Sequence, residues 1–347
     1  MNITQPVARL RVIAVSIGTA LAAAVACVTF APAAQAAPSI TLYSAQHEQV
    51  VNQLASDFRQ QTGIAVNVHS GEGPALAAQL VAEGNRTPAD VYFTENSPEL
   101  MLLQEKGLLA PVQPATLAAI PSRYNSPAGQ WVGVTARENV LAYNTTKVQP
   151  SQLPHSIFDL AKPAWKGKVG IAPSDADFLP LVDAVVAMKG EAAALAWLKG
   201  LKTNAQVFDD DEGVVAAVNR GAVATGLINN YYWDRLHAEI GDAKTRSAVA
   251  HFADGDAGAL VNVSGAAVTK TAHNAAGAQK FLAYLVSERA QKLMAQDRIS
   301  FEYPLRAGVA SDPINKPFDE LKPPALTLEQ LGDDSEAGKL LRMAGLL

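Results

Sequence analysis

The sequence predicts an α/β protein of two lobes, each built on a mainly parallel sheet, and two observations carry that prediction. Strand-length apolar segments alternate with helix-length ones from about residue 40 onward, an order that produces βαβ units. Beyond its first 36 residues the chain still holds about 310, more than one hydrophobic core usually organises.

The start of the chain reads as a leader. Arg9 and Arg11 precede an uncharged apolar run from Val12 to Phe30, and Ala34-Gln35-Ala36 supplies small residues for cleavage. A signal peptide over 1–36, cut before Ala37, is the expectation. An uncleaved membrane anchor competes with it, because the run is nearly long enough to span; Pro32 and the small residues favour cleavage. Acylation at Cys27 is a lesser alternative, since Ala24-Val25-Ala26 is a poor lipid-attachment context. Cys27 is the single cysteine, so the processed chain has no disulfide, thiolate metal site or cysteine nucleophile. Losing Arg9 and Arg11 from the 28 basic residues leaves 26 against 33 acidic ones, a net charge of −7. That balance argues against nucleic acid as a partner. No second long apolar run follows, so an exported, soluble chain is expected.

Each element has its own signal. Ile40 to Ser44 reads as a strand running toward His47. Val50, Val51, Leu54 and Phe58 fall on one face of a helix that Gly63 stops. Ile64 to Val68 alternates as a half-buried strand does. Pro74 opens a helix through Leu76, Leu80 and Val81, and Ala89 to Phe93 is the next strand. Ser97-Pro98 predicts a helix with Ser at the N-cap and Pro at the first helical position, ending at Gly107. Further on, Lys168 to Ala172 is a short strand, followed by helices over about 179–188 and 191–201. A helix over 213–220 precedes a buried strand over 222–228. Ala259 to Val268 is another strand, 275–296 one or two helices, and a last helix begins near Leu328 after a Pro-rich connector over 313–324.

Two α/β lobes in an exported, cysteine-free chain suggest a clamshell with a ligand cleft at the carboxyl ends of its strands. Composition alone does not separate this from a two-lobed exported hydrolase. The chain contains no Gly-x-Ser-x-Gly and no His-Glu-x-x-His, and its other histidines, His69, His155, His237, His251 and His273, lack ligand spacing. Those absences argue against an enzyme.

Four residues follow predicted strands and share one chemistry. His47 follows the first strand, Glu95 the strand ending at Phe93, and Tyr231 and Tyr232 the strand ending at Ile228. Two phenolates, a carboxylate and a neutral imidazole give four donors and three negative charges, a set that suits ferric iron. A free phenol with a pKa near ~10 does not ionise at neutral pH, but a bound trication stabilises the phenolate directly. Neighbouring tyrosines on a strand point apart, so both reach one metal only at a turn or a helix start, for which Asn229-Asn230 is suited. From spacing alone each residue has a plainer reading: packing for the tyrosines, a helix N-terminus for His47, a solvated loop carboxylate for Glu95.

The motifs around these residues resemble the periplasmic ferric-ion-binding proteins of bacterial ABC importers. Ser44-Ala45-Gln46-His47-Glu48 is similar to their histidine motif, Pro88 to Glu95 to their glutamate motif, and Leu227 to Trp233 to their double-tyrosine motif. Lys189 to Leu195, Trp197 to Leu201, Val263 to Val268 and Glu302 to Leu305 extend the likeness over nearly the whole processed chain. The resemblance implies a two-lobed periplasmic-binding-protein clamshell with two crossing strands, type II-like. One lobe would comprise 37–138 plus about 264–312, and the other about 139–263 plus 313–347, with crossings near 137–141 and 261–265. It implies His47, Glu95, Tyr231 and Tyr232 as ligands of Fe3+, periplasmic location, a monomeric chain, and an inner-membrane permease with its ATPase as partners.

The anion half of the family site departs from the pattern. A small Ser-Gly-Ala-type cradle falls on Asp175-Ala176-Asp177, with Ser174 beside it as a further anion or ligand position, and a polar position falls on Asp211. Asn96 and Asn229 remain compatible. Carboxylates beside a phosphate repel it by about 4 kcal/mol at ~4 Å and an effective dielectric of about 20. Phosphate is therefore disfavoured as a synergistic anion. Asp175 or Asp177 supplies the missing oxygen, or Arg137 holds water or carbonate with its planar fork; alternatively these aspartates only cap helices. A clamshell for another metal or an organic cation is the competing function.

Overall fold

The computed structural model describes residues 38–347; the leader and Cys27 lie outside them. Ten strands form one continuous sheet: β1 (Ser39–Ser44), β2 (Ala65–Ser70), β3 (Val91–Thr94), β4 (Val132–Asn144), β5 (Val169–Ile171), β6 (Ala205–Val207), β7 (Thr225–Asn229), β8 (Ser247–Ala250), β9 (Val261–Val268) and β10 (Tyr303–Pro304). The order is β2-β1-β3-β9-β4-β7-β5-β6, with β8 and β10 also paired to β4. β1, β2 and β3 are parallel, as are β5, β6 and β7. The expectation of mainly parallel sheets holds only for these two groups: five of the nine pairings, all made by β4 or β9, are antiparallel, so the sheet is mixed.

β4 holds the two parallel groups together. Val132 to Glu138 pair with β9, while Asn139 to Tyr143 pair with β7 and Leu141 to Asn144 with β8. The strand changes partners between Glu138 and Asn139. All eight residues of β9 are buried, and its register with β4 begins at Val261 opposite Glu138. β4 is the longest strand in the protein, and the sequence reading named only its middle. It is uniformly apolar or buried along both faces, so it lacks the period-2 alternation that marks a strand.

Several boundaries moved for identifiable reasons. The segment after β3 forms the helix Ser97–Glu105, but Asn96 rather than Ser97 is its N-cap; the Ser97 hydroxyl instead donates to Asn262 Oδ1 at 3.0 Å. Residues 275–296 form two helices, Ala275–Leu285 and Glu288–Gln296, and Ser287 caps the second by accepting from the Ala290 amide at 3.2 Å. The last helix is likewise split, into Leu328–Leu331 and Ser335–Ala344. The first helix, Glu48–Thr62, buries Val50, Val51, Leu54 and Phe58 and ends where Gly63 takes φ 73°, as anticipated. Among the described residues no helix is long and apolar enough to cross a membrane.

Candidate metal centre

Four loops meet at the carboxyl ends of parallel strands: Ala45–His47 after β1, Glu95 and Asn96 after β3, Ser174–Asp177 beyond β5, and the helix start after β7. Open α/β sheets place ligands at this edge. The loops line a cleft of about 840 Å³.

The tyrosine pair sits where a helix begins. Asn229 is the N-cap of the helix Asn230–Ile240, so Tyr231 and Tyr232 occupy its first turn. Asn230 pins that turn to the shared strand, accepting from the Glu138 amide at 3.0 Å and donating to Asn315 Oδ1 at 2.9 Å. At the helix start the two side chains run together instead of pointing apart, with rings stacked at 4.1 Å between centroids. Both hydroxyls donate to one atom, Asp177 Oδ2, at 2.8 Å from Tyr231 and 3.3 Å from Tyr232.

His47 and Glu95 face this pair from the other side. His47 Nδ1 lies 3.4 Å from Glu95 Oε1, and the imidazole edge meets the Tyr231 ring at 5.3 Å. His47 is the N-cap of its helix but makes no side-chain cap bond, so the helix-terminus reading accounts for its place and not for its ring. Its Nε2 has no hydrogen-bond partner. Burial pushes the imidazole pKa down to about 4, leaving a neutral ring with a free donor atom at neutral pH. Burial also pushes the Glu95 carboxyl well up, against the pull of Arg137, while Asp177 and Glu302 add to the rise. Burial, then the charge of Asp177, raises both phenols well above their ordinary value.

Arg137 lies beneath, fully buried. Its Nη1 donates to Asn96 Oδ1 at 3.2 Å and Asp177 Oδ1 at 3.3 Å, and stands 3.7 Å from Glu95 Oε2. Its Nη2 is paired with Glu302 Oε1. Glu302 was missed as a site residue. It enters because β10 pairs with β4, setting Tyr303 opposite Ala136; its other oxygen accepts from Thr135 at 2.8 Å and Gln46 at 3.0 Å. The likeness over Glu302 to Leu305 marks the segment but not this role, since its partners come from residues 46, 135 and 137.

The acidic positions divide by role. Asp177 is 4% exposed and receives Asn96 Nδ2 at 3.0 Å as well as Arg137 and both phenols. Burial alone would raise its pKa, but Arg137 and the hydrogen bonds of Tyr231, Asn96 and Asn229 hold it below the ordinary value. Asp175 instead organises backbone, accepting from the amides of Asp177 at 3.0 Å and Asp211 at 3.1 Å. Burial and the neighbouring Asp177 push it up to about 6. Asp211 accepts from the Asn229 amide at 3.3 Å, and burial followed by Asp175 and Asp177 pushes it well up. Neither Asp175, Asp177 nor Asp211 caps a helix: Asp210 performs that task for Gly213 at 2.6 Å, and Phe178 is the N-cap ahead of Leu179. Ser174 is exposed and donates to the Asp209 carbonyl at 3.2 Å. Among the described residues no three His, Cys, Asp or Glu side chains form a metal-holding group, so a cation site here depends on the phenols.

The chain is similar over most of its length to known proteins. The family model described as bacterial extracellular solute-binding protein matches residues 86–324. The Fe(3+)-binding periplasmic protein of Serratia marcescens is 38% identical over 317 residues, covering 91% of this chain and 93% of that one. The major ferric iron-binding protein of Neisseria meningitidis serogroup B is 36% identical, over 90% of this chain and 95% of that one. The structure of iron-bound HitA from Pseudomonas aeruginosa superposes with a TM-score of 0.85 at 43% identity, over 89% of this chain and 99% of that one. By the extent of the family model and by relatives that match it nearly end to end, the chain belongs to the bacterial extracellular solute-binding proteins.

Proposed function

We propose that this protein captures ferric iron in the periplasm, between the two halves of its sheet, and delivers it to an ATP-driven importer. The carrying observation is the convergence of the Tyr231 and Tyr232 hydroxyls on a single point opposite His47 and Glu95. Two phenols meeting at one oxygen are poorly suited to an apolar or organic ligand and well suited to a small hard cation. The ligands are Tyr231, Tyr232, Glu95 and His47, the last through its free Nε2. Three anionic oxygens neutralise a trication, and the hard oxygen set selects against soft metals. The protein carries its cargo unchanged and is not an enzyme. The iron-binding relatives support this reading, and cooperation with a membrane permease and its ATPase follows from the family.

The two lobes are assigned as 37–138 plus about 264–312, and about 139–263 plus 313–347. The change of partner along β4 at Glu138/Asn139 favours the first boundary. The pairing of all of β9 with the first half favours placing the second crossing at the start of β9, near Val261. His47 and Glu95 then belong to one lobe and the tyrosines to the other, so the metal binds best when the cleft is shut.

Loading with ferric iron and recording the visible spectrum tests the proposal. Tyrosinate-to-iron charge transfer should colour the protein red to violet with one iron per chain, and Tyr231→Phe should lose most of that absorption. A colourless protein, or an unchanged band in Tyr231→Phe, would refute the assignment.

A further inference from the structure

Glu302 is a buried carboxylate that the proposed ligand set does not use. It is 2% exposed, and burying a charge is costly unless it is paired and hydrogen-bonded. Both of its oxygens are engaged. Oε1 pairs with Arg137 Nη2, while Oε2 accepts from Thr135 Oγ1 at 2.8 Å and from Gln46 Nε2 at 3.0 Å. Gln46 and Arg137 each lead on to a proposed iron ligand. Gln46 is itself buried, and its Oε1 accepts from the His47 amide at 2.8 Å. Arg137 Nη1 stands 3.7 Å from Glu95 Oε2. The carboxylate is thus one side chain removed from His47 and from Glu95, which lie on separate loops after β1 and β3.

The backbone that delivers Glu302 is held where ordinary residues seldom go. Arg298 has φ 55° and Phe301 φ 50°, both in the left-handed region. Such conformations persist where the surroundings over-determine them, and they cluster at ligand clamps. Asp297 Oδ1 closes the turn by accepting from the amides of Ile299 at 2.7 Å and Ser300 at 3.0 Å. The Phe301 carbonyl then accepts from Asn315 Nδ2 at 2.8 Å and Asn230 Nδ2 at 3.4 Å. Asn230 is the first residue of the tyrosine helix. One dipeptide, Phe301-Glu302, therefore braces the residue before His47, the guanidinium beside Glu95 and the residue before Tyr231. A mere counter-ion for Arg137 needs neither Gln46 nor Asn230.

We propose that Glu302 is a positioning residue for ferric iron: through Gln46 it fixes where His47 stands, and through Arg137 it limits how strongly the guanidinium competes for Glu95. The proposal rests on the ferric reading and adds to it a support that touches no iron. Without this carboxylate Arg137 turns its charge on Glu95, and Gln46 loses the bond that aims it at the His47 amide. The His47–Glu95 side then meets the tyrosines out of register. Side chains behind metal ligands contribute about 10–100-fold in affinity.

Glu302→Gln removes the charge but keeps the shape and an acceptor for Thr135. Thermal melts of the iron-free variant establish that it is folded. Competition with nitrilotriacetate, read at the tyrosinate band, should show iron held about 10–100-fold more weakly. The band at saturating iron should keep its intensity, because the tyrosines keep their helix start. The decisive arm is a double-mutant cycle with His47→Ala and with Glu95→Ala. A residue that acts through those ligands loses part of its effect when either is gone, so the penalty of Glu302→Gln should shrink in both. Gln46→Ala leaves the buried ion pair intact and gives a second arm, weakening iron in wild type and adding nothing in His47→Ala. The proposal is overturned if folded Glu302→Gln binds iron within about twofold of wild type. It is equally overturned if the penalties of Glu302→Gln or Gln46→Ala are undiminished in the ligand variants, as expected of residues that serve only the fold. If the wild-type protein takes up no iron or develops no band, the ferric reading itself fails, which is a distinguishable result.

Discussion

The proposed iron binding by two buried phenols must be strongly coupled to pH, and the proton count follows from the proposed ligands. Tyr231 and Tyr232 are held well above the ordinary phenol value by burial and by Asp177. Both are therefore protonated in the metal-free protein at neutral pH. Ionising one phenol of ordinary pKa at pH 7 costs about 4 kcal/mol. The metal must supply at least about 8 kcal/mol to ionise the pair, and more because both are raised. Two protons are then displaced per iron. At constant free ferric ion the affinity should rise about 100-fold per pH unit, or about 2.7 kcal/mol.

The other two ligands set the bounds of that count. His47, with its pKa pushed down to about 4, is already neutral and adds no proton between pH 6 and 8. Glu95 is pushed well up, so in the range where it still carries its proton the count rises from two toward three. The sign is unambiguous: acid weakens binding and base strengthens it. Calorimetric titration of ferric nitrilotriacetate into the protein, repeated in buffers of different ionisation enthalpy and corrected for proton exchange by the chelator, gives the count. Tyr231→Phe should lower it by one. A wild-type count of one or fewer, or no change in Tyr231→Phe, would refute the reasoning.

Three further outcomes follow from the same geometry. Arg137→Met should destabilise the iron-free protein by about 3–5 kcal/mol, since it strands Asp177 and Glu302 as buried charges; denaturant unfolding reads this, adding Glu302→Gln should restore part of the loss, and a loss under about 1 kcal/mol would contradict the network. His47, whose folded pKa lies below its unfolded one, holds stability that is present above about pH 6.5 and lost as pH falls toward 4, by up to roughly 3 kcal/mol; the acid limb of the stability curve should flatten in His47→Asn, and an unchanged limb counts against a buried neutral ring. Asp234, pushed up to about 7 by burial against the hydrogen bond from Asn230 and with the charge of Asp312 adding, behaves oppositely. Its contribution is complete below about pH 4 and lost as pH rises through 7, so Asp234→Asn should gain relative stability at pH 8 by up to about 4 kcal/mol, and equal pH profiles for the two proteins would exclude it.

The sequence disclosed the fold where periodicity and punctuation were local. The helix after His47 has its apolar stripe and its terminal Gly63, and the strands leading to His47, Glu95 and Tyr231 lie within a few residues of expectation. β4 was only partly legible because it is buried along almost its whole length, and β6, β8 and β10 were not read as strands. The need for a turn or a helix start to bring Tyr231 and Tyr232 together was readable from their adjacency; the structure shows the helix start, with Asn229 as its N-cap. The division of labour among the aspartates was not readable. Asp175, Asp177, Asp210 and Asp211 are chemically alike, and only loop geometry separates the one that meets the phenols from those that tie backbone or cap a helix. Glu302 lay beyond reach for a related reason, because its role depends on a two-residue strand pairing with β4.

The position of Arg137 bears on how capture is coupled to closure. It lies on β4 one residue before Glu138, the last residue paired to β9, ahead of the switch to β7. On one side its guanidinium holds Glu302 and Asn96, which hang from the first half of the sheet. On the other it holds Asp177, which follows β5 in the second half. With Asn96 also bonded to Asp177, the metal-free protein already has polar ties between the two halves of the sheet. Iron therefore need not create the shut state. It has to bind that state more tightly than the open one, and the difference is the most by which it shifts the equilibrium. On the proposed ligand set and lobe division the difference is large, because the tyrosines and the His47–Glu95 pair then meet only when the two halves do. Arg137 moderates it, since a cation beside Glu95 and Asp177 partly offsets their attraction for iron. A site without Arg137 would hold iron more tightly and yield it less readily; keeping a buried arginine beside a trication suits a protein that must let go of what it catches.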